Sequence, residues 1–410
     1  MPEKKHQVSI VKGPKHPTRE QIHRMVFDSI ELIGGVEGII GDGDRVLIKP
    51  NAGSTSQDRG AVTNPHVVEA VAVKVREAGA GEVVIGEAAQ VGTDTKRVFE
   101  LNGYHEVADR TGARLLDLND DEAVEVEIEG RLFSGVRVFR SALECDAVIS
   151  VPVIKTHILA GMTLGLKNMK GLIPVGEKRR FHMLGLDSAI ADLQLAIRPS
   201  MTVVDGITAM GGLGAPIHLG DAVELDLILA GFNAVAVDAV ACRVVGFDPH
   251  DVKHLVYAME HGLGSLDMED VEIKGEPIER VRFDLEKPSF EFHEFDTYEN
   301  LEIVQKGACS SCVGALYSAL KICHGRGELQ RLPKTTFVLG PLTEPPAGKG
   351  EKIIIGRCLQ KFRERGNYVP GCPPLVIQIR DELRELIGLP RIGGRKEEFL
   401  RAAESNDNIS

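Results

Sequence analysis

The sequence predicts an α/β protein with mostly parallel sheets flanked by helices, followed by a smaller C-terminal α/β unit that contains cysteines. Two observations support this fold class. Short runs of β-branched residues alternate with amphipathic helical stretches through most of the chain, which is typical of parallel strands buried between layers of helices. The length of 410 residues also leaves room for two or three domains with cores of their own.

The predicted elements follow one another in a regular order. The first are a strand at 45–49, a helix at 65–78, a strand at 83–87, a helix at 95–101 and a strand at 115–117. Residues 123–138 alternate in polarity around Gly130, which predicts a hairpin at the sheet edge. Buried strands at 147–152 and 201–206 each lead into a polar, glycine-bearing loop, and a strand at 227–231 with a helix at 233–245 completes the core.

The chain is expected to divide near residue 290. Residues 1–290 form the larger α/β domain, and acidic and aromatic residues at 291–296 read as a linker. A smaller unit at 298–395 has strands near 336–339 and 352–355 and a last helix at 374–387. The polar tail at 396–410 is predicted to be disordered.

Composition limits the classes of partner. The formal net charge is −12, which argues against nucleic acid or an anionic membrane surface as the main partner, since both favour basic proteins. We find no apolar run of membrane-spanning length and no signal-peptide core. The expected location is the cytoplasm, where seven cysteines favour metal-binding or redox roles over disulfides.

Four cysteines near the end of the chain predict an inorganic centre. Cys309 and Cys312 form a close pair, Cys358 follows the strand at 352–355, and Cys372 precedes a proline. Such a set can enclose an iron–sulfur cluster, with 4Fe-4S the first choice, or a zinc ion. Buried thiols without a metal are the remaining alternative, and Cys323 could replace one ligand, although it fits better within a helix that starts at residue 313.

A second group of polar residues lies at 150–182. Its cations and donors are Lys155, His157, Lys167, Asn168, Lys170 and His182. Together they could hold an anion, and the two histidines could bind a metal. An ordinary solvated loop with surface lysines is the alternative interpretation.

Further ligand groups are expected at the ends of neighbouring strands. Lys49 and Asn51 follow the first strand, Glu87 ends the next, and Asp205 precedes a glycine-rich stretch. Open α/β sheets bind ligands at the carboxyl ends of their strands. No GxGxxG fingerprint accompanies them, so nicotinamide binding is not expected. Asp238 lies in an apolar helix, so it is expected to bind a ligand or cap a neighbouring loop.

Six segments between residues 45 and 250 resemble the domain-of-unknown-function family 362. They are 46–51, 63–65, 150–157, 166–171, 204–206 and 236–239. Members of that family are often described as iron–sulfur proteins, some with a ferredoxin-type module. The compact ferredoxin motif is missing here, so the resemblance implies a cluster only through Cys309, Cys312, Cys358 and Cys372.

Residues 157–182 are also similar to a segment of nickel-pincer lactate racemases. In those enzymes one histidine is an acid/base, a lysine anchors the pincer nucleotide and a second histidine binds nickel. The resemblance implies these roles for His157, Lys167 and His182. The racemases' early Gly-Thr-His-Arg-type motif corresponds here to residues 86–89, which contain no histidine, so the second acid/base is absent.

Three functions remain open from the sequence. The first is an iron–sulfur protein of oxidoreductase type, in which a cationic cleft binds an anionic small molecule, His157 donates a proton, and a partner protein exchanges electrons. A cluster with an open iron could instead act as a Lewis acid. The second is a metal-dependent isomerase or lyase related to the racemases, and the third is a non-catalytic cofactor-binding or maturation protein.

Overall fold

The computed structural model describes residues 5–215, 220–288, 292–344 and 350–392. The chain divides into two compact units, of which the first contains residues 1–178 and 185–289 and the second contains residues 179–184 and 290–410. The predicted tail at 396–410 lies outside the described residues, as does residue 291 of the predicted linker. The next linker residues form a short 3-10 helix, Phe292–Phe295.

The first unit contains strands β1 to β12. They are β1 (His6–Lys12), β2 (Arg45–Pro50), β3 (Glu82–Glu87), β4 (Arg114–Asp117), β5 (Ala123–Glu127), β6 (Gly135–Phe139), β7 (Ala147–Val151), β8 (Val153–His157), β9 (Gly161–Thr163), β10 (Met201–Ala215), β11 (Ala222–Gly231) and β12 (Val271–Gly275).

Helices α1 to α11 alternate with these strands. They are α1 (Arg19–Leu32), α2 (Pro65–Glu77), α3 (Thr95–Leu101), α4 (Tyr104–Thr111), α5 (Arg140–Leu143), α6 (Gly165–Asn168), α7 (Val175–Leu184), α8 (Leu186–Ala196), α9 (Ala234–Val244), α10 (Lys253–Glu260) and α11 (Ile278–Val281). Helix α7 starts in the first unit, and its last six residues are grouped with the second.

The strands form a large, mostly parallel sheet, as predicted. Its order is β12-β1-β11-β10-β7-β2-β3-β4, with β8 beside β10 and β9 beside β8. The run from β10 to β4 is parallel, whereas β11 is antiparallel to both β1 and β10. The predicted hairpin exists as β5 and β6, but it forms a two-stranded sheet of its own.

Helices cover both faces of this sheet. One hydrophobic cluster joins α1 and α2 to β2 and β3, and another joins α8 and α9 to β1, β10 and β11. Val203 and Val204, neighbours on β10, belong to opposite clusters, because successive side chains of a strand point to opposite faces. Helix α2 starts where the sequence predicts, with the Asn64 side chain as its cap and Pro65 in its first turn.

The segment at 150–182, predicted as a polar loop, is folded into the end of β7, β8, β9, α6, a 3-10 helix (Met169–Leu172) and most of α7. The interpretation as a solvated surface loop is wrong, because Lys155, His157 and Asn168 are buried. The partners of their polar atoms come from distant parts of the chain. Those long-range contacts cannot be read from local polarity.

The strand predicted at 201–206 does not end there. Strand β10 continues to Ala215, because β11 pairs with it as far as Met210, with a register shift between Gly206 and Thr208, and β8 pairs with it as far as Ala215. Past Pro152, β8 takes over from β7 as the neighbour of β10. The sheet is thereby extended, and β8 carries Lys155 and His157 on the extension.

The second unit has a small parallel sheet. Its elements are β13 (Leu301–Gln305), α12 (Ser310–Gly325), β14 (Thr335–Leu339), β15 (Glu351–Ile355), the 3-10 helix Arg357–Arg365, β16 (Asn367–Val369) and α13 (Val376–Leu386). The sheet order is β13-β14-β15-β16, and every pairing is parallel. In the described parts of both units, no helix combines the length and the apolar character needed to cross a bilayer.

Candidate functional site

A buried ion pair lies at the carboxyl ends of β2 and β3. Lys49 Nζ lies 2.6 Å from Glu87 Oε2, and both side chains are buried. Glu87 Oε2 also accepts the backbone N–H of Ala52 at 3.0 Å. Burial lowers the pKa of Lys49, while the neighbouring Glu87 opposes that shift. The sequence predicted ligand groups at these two strand ends, and in the structure Lys49 and Glu87 contact each other directly.

Asn168 links this ion pair to the neighbouring strand β7 through hydrogen bonds. Its Nδ2 donates to the Lys49 carbonyl at 2.8 Å and to Ser150 Oγ at 3.0 Å, while its Oδ1 accepts from Lys49 Nζ at 3.3 Å. Helix α6, which carries Asn168, is held by Asp238, whose carboxylate accepts the backbone N–H groups of Gly165 and Leu166. Asp238 therefore caps a neighbouring segment, one of the two roles expected from the sequence.

The backbone of Gly171 packs closely against the same ion pair. A Cβ at this position would lie 2.0 Å from Glu87 Oε1 and 2.1 Å from Lys49 Cε. The Gly171 carbonyl accepts the backbone N–H of Ala88. Only a residue without a side chain fits between this backbone and the buried pair.

Lys155 lies in the same group of cations. Its Nζ donates to Asn51 Oδ1 at 2.9 Å and to the carbonyl of Ala61. Burial, reinforced by the positive charge of Lys167, lowers the pKa of Lys155 to about 7. The predicted residues Asn51 and Lys155 are therefore brought together.

Three more lysines complete a group that we call the lysine cleft, defined by Lys49, Lys155, Lys167, Lys170 and Lys178. Burial lowers the pKa of Lys167 and of Lys178 to about 8 in each case. Burial also lowers the pKa of Lys170 well below its usual value, and the positive charges of Lys167 and Lys178 add to this shift. The negative charge of Glu87 acts on Lys49, Lys155 and Lys178 and partly offsets the lowering of their pKa values.

Lys178 was not among the residues predicted for this site. Its Nζ donates to the carbonyls of Ala88 at 2.7 Å and Ala89 at 2.9 Å, just after β3. The only sign of this role in the sequence was that Lys178 belongs to the run of basic residues at 178–180. Asp187 and His254 were also missed: the Asp187 charge acts on Lys167, and Asp187 Oδ1 lies 3.4 Å from His254 Nδ1.

His157 is buried at the end of β8, and its tautomer is fixed by the backbone. Its Nδ1 accepts the N–H groups of Leu159 at 3.1 Å and Ala160 at 3.2 Å. The proton of the neutral ring is therefore on Nε2. This arrangement suits His157 for donating a hydrogen bond, whereas a second proton on Nδ1 would displace both N–H groups.

Asp205 has a different environment from the one predicted. Its carboxylate accepts the N–H groups of Asn64 at 2.7 Å and Ile207 at 2.9 Å, and burial raises its pKa to about 6. It lines a cavity of about 390 Å³ together with residues that include Arg59, His66 and Glu224. The contacts described for Asp205 do not include a lysine of the lysine cleft.

In the second unit, three predicted cysteines follow the carboxyl ends of parallel strands. Cys309 comes after β13, Cys358 after β15 and Cys372 after β16. Cys312 lies in the first turn of α12, two residues after Ser310. Since carboxyl ends of parallel strands lie along one edge of a sheet, the fold gathers these distant positions.

The four thiols interact with one another electrostatically. Each of the six pairs among Cys309, Cys312, Cys358 and Cys372 affects the pKa of at least one partner. A hydrogen bond from Cys312 lowers the pKa of Cys309, and backbone N–H groups at the start of α12 lower it further. The same hydrogen bond, with burial, raises the pKa of Cys312.

Gly356 lies between two of these sulfurs. A Cβ on it would be 3.2 Å from Cys312 Sγ and 3.8 Å from Cys358 Sγ, so both sulfurs lie close to one point. Gly356 has φ +98°, a value that favours glycine. Among the described residues, no three His, Cys, Asp or Glu side chains converge as ligands of a single metal ion would.

Cys323 lies apart from this group. Burial, followed by a hydrogen bond with Glu328, raises its pKa to about 12. None of the four candidate cysteines contributes to that shift. Cys323 therefore belongs to the interior of α12, the position favoured from the sequence.

His182 is grouped with the second unit, whereas His157 and Lys167 belong to the first. Its Nδ1 lies 3.4 Å from Ser310 Oγ, one residue from Cys309. On the same helix, α7, Arg179 Nε donates to the Cys372 carbonyl at 2.7 Å. The metal and acid/base roles of His157, Lys167 and His182 stay predictions.

Several known proteins are similar to this chain. The thylakoid-associated protein sll1697 of Synechocystis sp. is 31% identical over 241 residues, which are 57% of this chain and 73% of that protein. The lactate racemase apoprotein of Thermoanaerobacterium thermosaccharolyticum matches with a TM-score of 0.41 and 12% identity over 98% of this chain and 90% of that one. A Thermotoga maritima protein matches with a TM-score of 0.36 and 12% identity over 60% of each chain.

The family resemblance inferred from the six segments is confirmed. A family model described as a domain of unknown function (DUF362) matches residues 46–243. This range contains β2, β3, β7 and β8, which carry Lys49, Glu87, Ser150 and Lys155. By this match and by its curated relative, the chain belongs to the domain-of-unknown-function family 362.

Proposed function

We propose that the protein is an iron–sulfur protein whose cluster is held by Cys309, Cys312, Cys358 and Cys372. One observation carries the proposal, namely that three of the cysteines follow the carboxyl ends of parallel strands of one sheet, with Cys312 Sγ and Cys358 Sγ both within 3.8 Å of one point beside Gly356. A cluster separates its thiolate ligands more widely than a single ion does, because several irons lie between them. When bound, such a cluster supplies one-electron transfer or, with one iron left open, a Lewis acid.

The protein groups around the thiols suit a negatively charged cluster. Backbone N–H groups at the start of α12 point at the Cys309 sulfur, and the N–H of Gly340, which follows β14, points at Cys358. The positive charges of Arg179 and Arg357 act on Cys372. Hydrogen bonds and positive charge near cluster sulfurs stabilise reduced clusters.

Anaerobic purification followed by iron, sulfide and metal analysis tests the cluster. We expect iron and acid-labile sulfide in similar amounts, with the broad visible absorption of thiolate-to-iron charge transfer. Cys358→Ser, at an exposed position, should lose both. Cys323→Ser is the matched control and should keep them, because Cys323 lies outside the group. Zinc without sulfide, or a Cys358→Ser variant that retains its cluster, would contradict the proposal.

We also infer that the lysine cleft binds an anionic small molecule that carries phosphate or carboxylate groups. Burial lowers the pKa of all five lysines, and the positive charges of neighbouring lysines lower those of Lys155, Lys170 and Lys178 further. Such mutual repulsion is relieved when an anion enters. Lys167 is half-buried, and it therefore suits direct contact with a ligand better than Lys49, which is wholly enclosed.

Calorimetric titration with inorganic pyrophosphate and with citrate tests this second inference. Lys167→Gln should weaken binding by about tenfold or more, since a hydrogen bond to a charged group contributes about 1.5–3 kcal/mol. Lys96→Gln is the matched control, because Lys96 is exposed and paired with Asp120. Equal affinities of wild type and Lys167→Gln for both probes would exclude Lys167 from the ligand site.

A further inference from the structure

The 3-10 helix Arg357–Arg365 presents a basic surface next to one of the four cysteines. Side chains of a 3-10 helix fall into rows that repeat every three residues. Leu359 and Phe362 form the buried row. The exposed basic residues of this helix, which we call the basic surface, are Arg357, Lys361, Arg363 and Arg365.

The charge of this segment is opposite to that of the whole chain. Four basic residues and one acidic residue, Glu364, lie within nine positions, whereas the chain has 48 lysines and arginines against 60 aspartates and glutamates. Glu364 is 88% exposed, and its Oε1 lies 3.3 Å from Arg363 Nε. It therefore offsets only part of the local positive charge.

Cys358 lies on the same 3-10 helix, next to Arg357. It is exposed, whereas Cys312 is buried and Cys309 and Cys372 are partly buried. Its neighbour Arg357 also acts electrostatically on Cys372. A cluster on the four cysteines would thus have its most accessible ligand on the same short helix as these positive charges.

We propose that an acidic electron-transfer protein of the ferredoxin class docks on the basic surface. A cluster on the four cysteines would then exchange one electron with the partner's iron–sulfur centre, one centre being oxidised as the other is reduced. The proposal rests on the proposed cluster. Complementary charge speeds such encounters and weakens with salt, and electron-transfer complexes are typically small and transient.

The test uses the full-length, cluster-containing protein and an oxidised, acidic plant-type ferredoxin as the probe. Binding is measured by calorimetry or interferometry at low and at moderate ionic strength. The variant is Lys361→Glu/Arg363→Glu/Arg365→Glu, which leaves the cysteines and Arg357 unchanged. The control is Arg97→Glu/Arg137→Glu/Arg280→Glu, which changes the net charge equally at exposed positions of the first unit.

We expect wild type and control to bind the ferredoxin, with affinity falling at least tenfold as salt is raised, and the variant to lose binding while keeping its iron and sulfide. The rate of electron exchange with ferredoxin should fall in the variant, whereas oxidation of the dithionite-reduced cluster by neutral benzoquinone should not change. Equal ferredoxin binding by variant and wild type, or binding of poly(U) RNA but not ferredoxin, would overturn the docking proposal alone. A folded wild-type protein without iron and sulfide would overturn both this proposal and the cluster.

Discussion

Lys49 and Glu87 form the innermost contact of the lysine cleft. A buried ion pair gains its stability from good geometry and from hydrogen bonds that satisfy the remaining atoms. Here Asn168 and the N–H of Ala52 supply those bonds. The pair is therefore sensitive to any change that moves one partner, and Gly171 is the position where such a change is simplest to make.

Gly171→Ala should destabilise the protein. The new methyl group would lie about 2 Å from atoms of Glu87 and Lys49, and neither side chain has solvent into which it can move. Overpacking of this kind costs about 1–3 kcal/mol. Urea unfolding followed by circular dichroism measures the loss as a lower midpoint.

Gly176→Ala is the matched control. Gly176 lies in α7, and an added Cβ meets nothing within 4 Å. Alanine favours a helix over glycine by up to about 1 kcal/mol, so this variant should be as stable as wild type or more so. If Gly171→Ala unfolds at the same midpoint as wild type, the close approach to the ion pair is wrong.

At the residue level, sequence reasoning succeeded where topology alone decides position. Lys49 and Glu87 end neighbouring parallel strands, so their proximity follows from the strand order. Sequence reasoning could not predict that the Asp205 carboxylate accepts hydrogen bonds from the backbone N–H groups of Asn64 and Ile207. Nor could it give the tautomer of His157, which depends on the path of the chain at 159–160.

The segment from β8 to α7 supplies Lys155, Lys167, Lys170 and Lys178 of the lysine cleft. Its polar residues resemble a surface loop in the sequence because their partners lie far away: Lys155 bonds to Asn51, and Lys178 bonds to Ala88. Local patterns report burial only when the buried face is apolar. A buried polar segment therefore escapes sequence analysis.

Anion binding by this segment should weaken as pH rises. In the free protein the pKa is about 7 for Lys155 and about 8 for Lys167 and Lys178, so these amines lose protons between roughly pH 7 and pH 9. A bound anion favours the charged form and raises each pKa. Binding then takes up protons, and affinity falls by up to about tenfold per pH unit for each lysine involved.

Calorimetric titration with citrate, which is almost fully ionised at pH 8 and above, in two buffers of different ionisation enthalpy at pH 8, measures the number of protons that the protein takes up. A positive number is expected for wild type and a smaller one for Lys167→Gln. Lys96→Gln should behave as wild type does, since Lys96 is exposed. Proton release on binding, or affinity that grows toward pH 9, would contradict the charge state assigned to the cleft.

On the scale of the whole molecule, both units place their polar groups by the same rule. The carboxyl ends of β2 and β3 present Lys49 and Glu87, and the carboxyl ends of β13, β15 and β16 lead to Cys309, Cys358 and Cys372. The α/β class and most strands were predictable, because each depends on strand order and local pattern, whereas the role of the four cysteines stays a prediction. The antiparallel direction of β11 and the length of β10 were not predictable, because they depend on pairing between distant segments.

Cluster loading should therefore protect particular segments of the second unit against hydrogen exchange. A ligand that binds only the folded form raises the free energy of every opening that disrupts its site. The affected amides are those of the start of α12, of residues 356–358 and of residues 371–372, which carry the four cysteines. Peptides from β2 and β3 serve as the internal control, because they carry the lysine cleft instead.

Reconstitution with iron and sulfide under anaerobic conditions, followed by exchange and mass spectrometry, provides the measurement. We expect slower exchange in the cysteine segments of wild type and of Cys323→Ser, and no slowing in Cys358→Ser. Protection that appears in the Cys358→Ser variant as well would show that iron binds elsewhere. Because the readout is local, it separates a cluster shared by three strand ends from iron attached to a single exposed thiol.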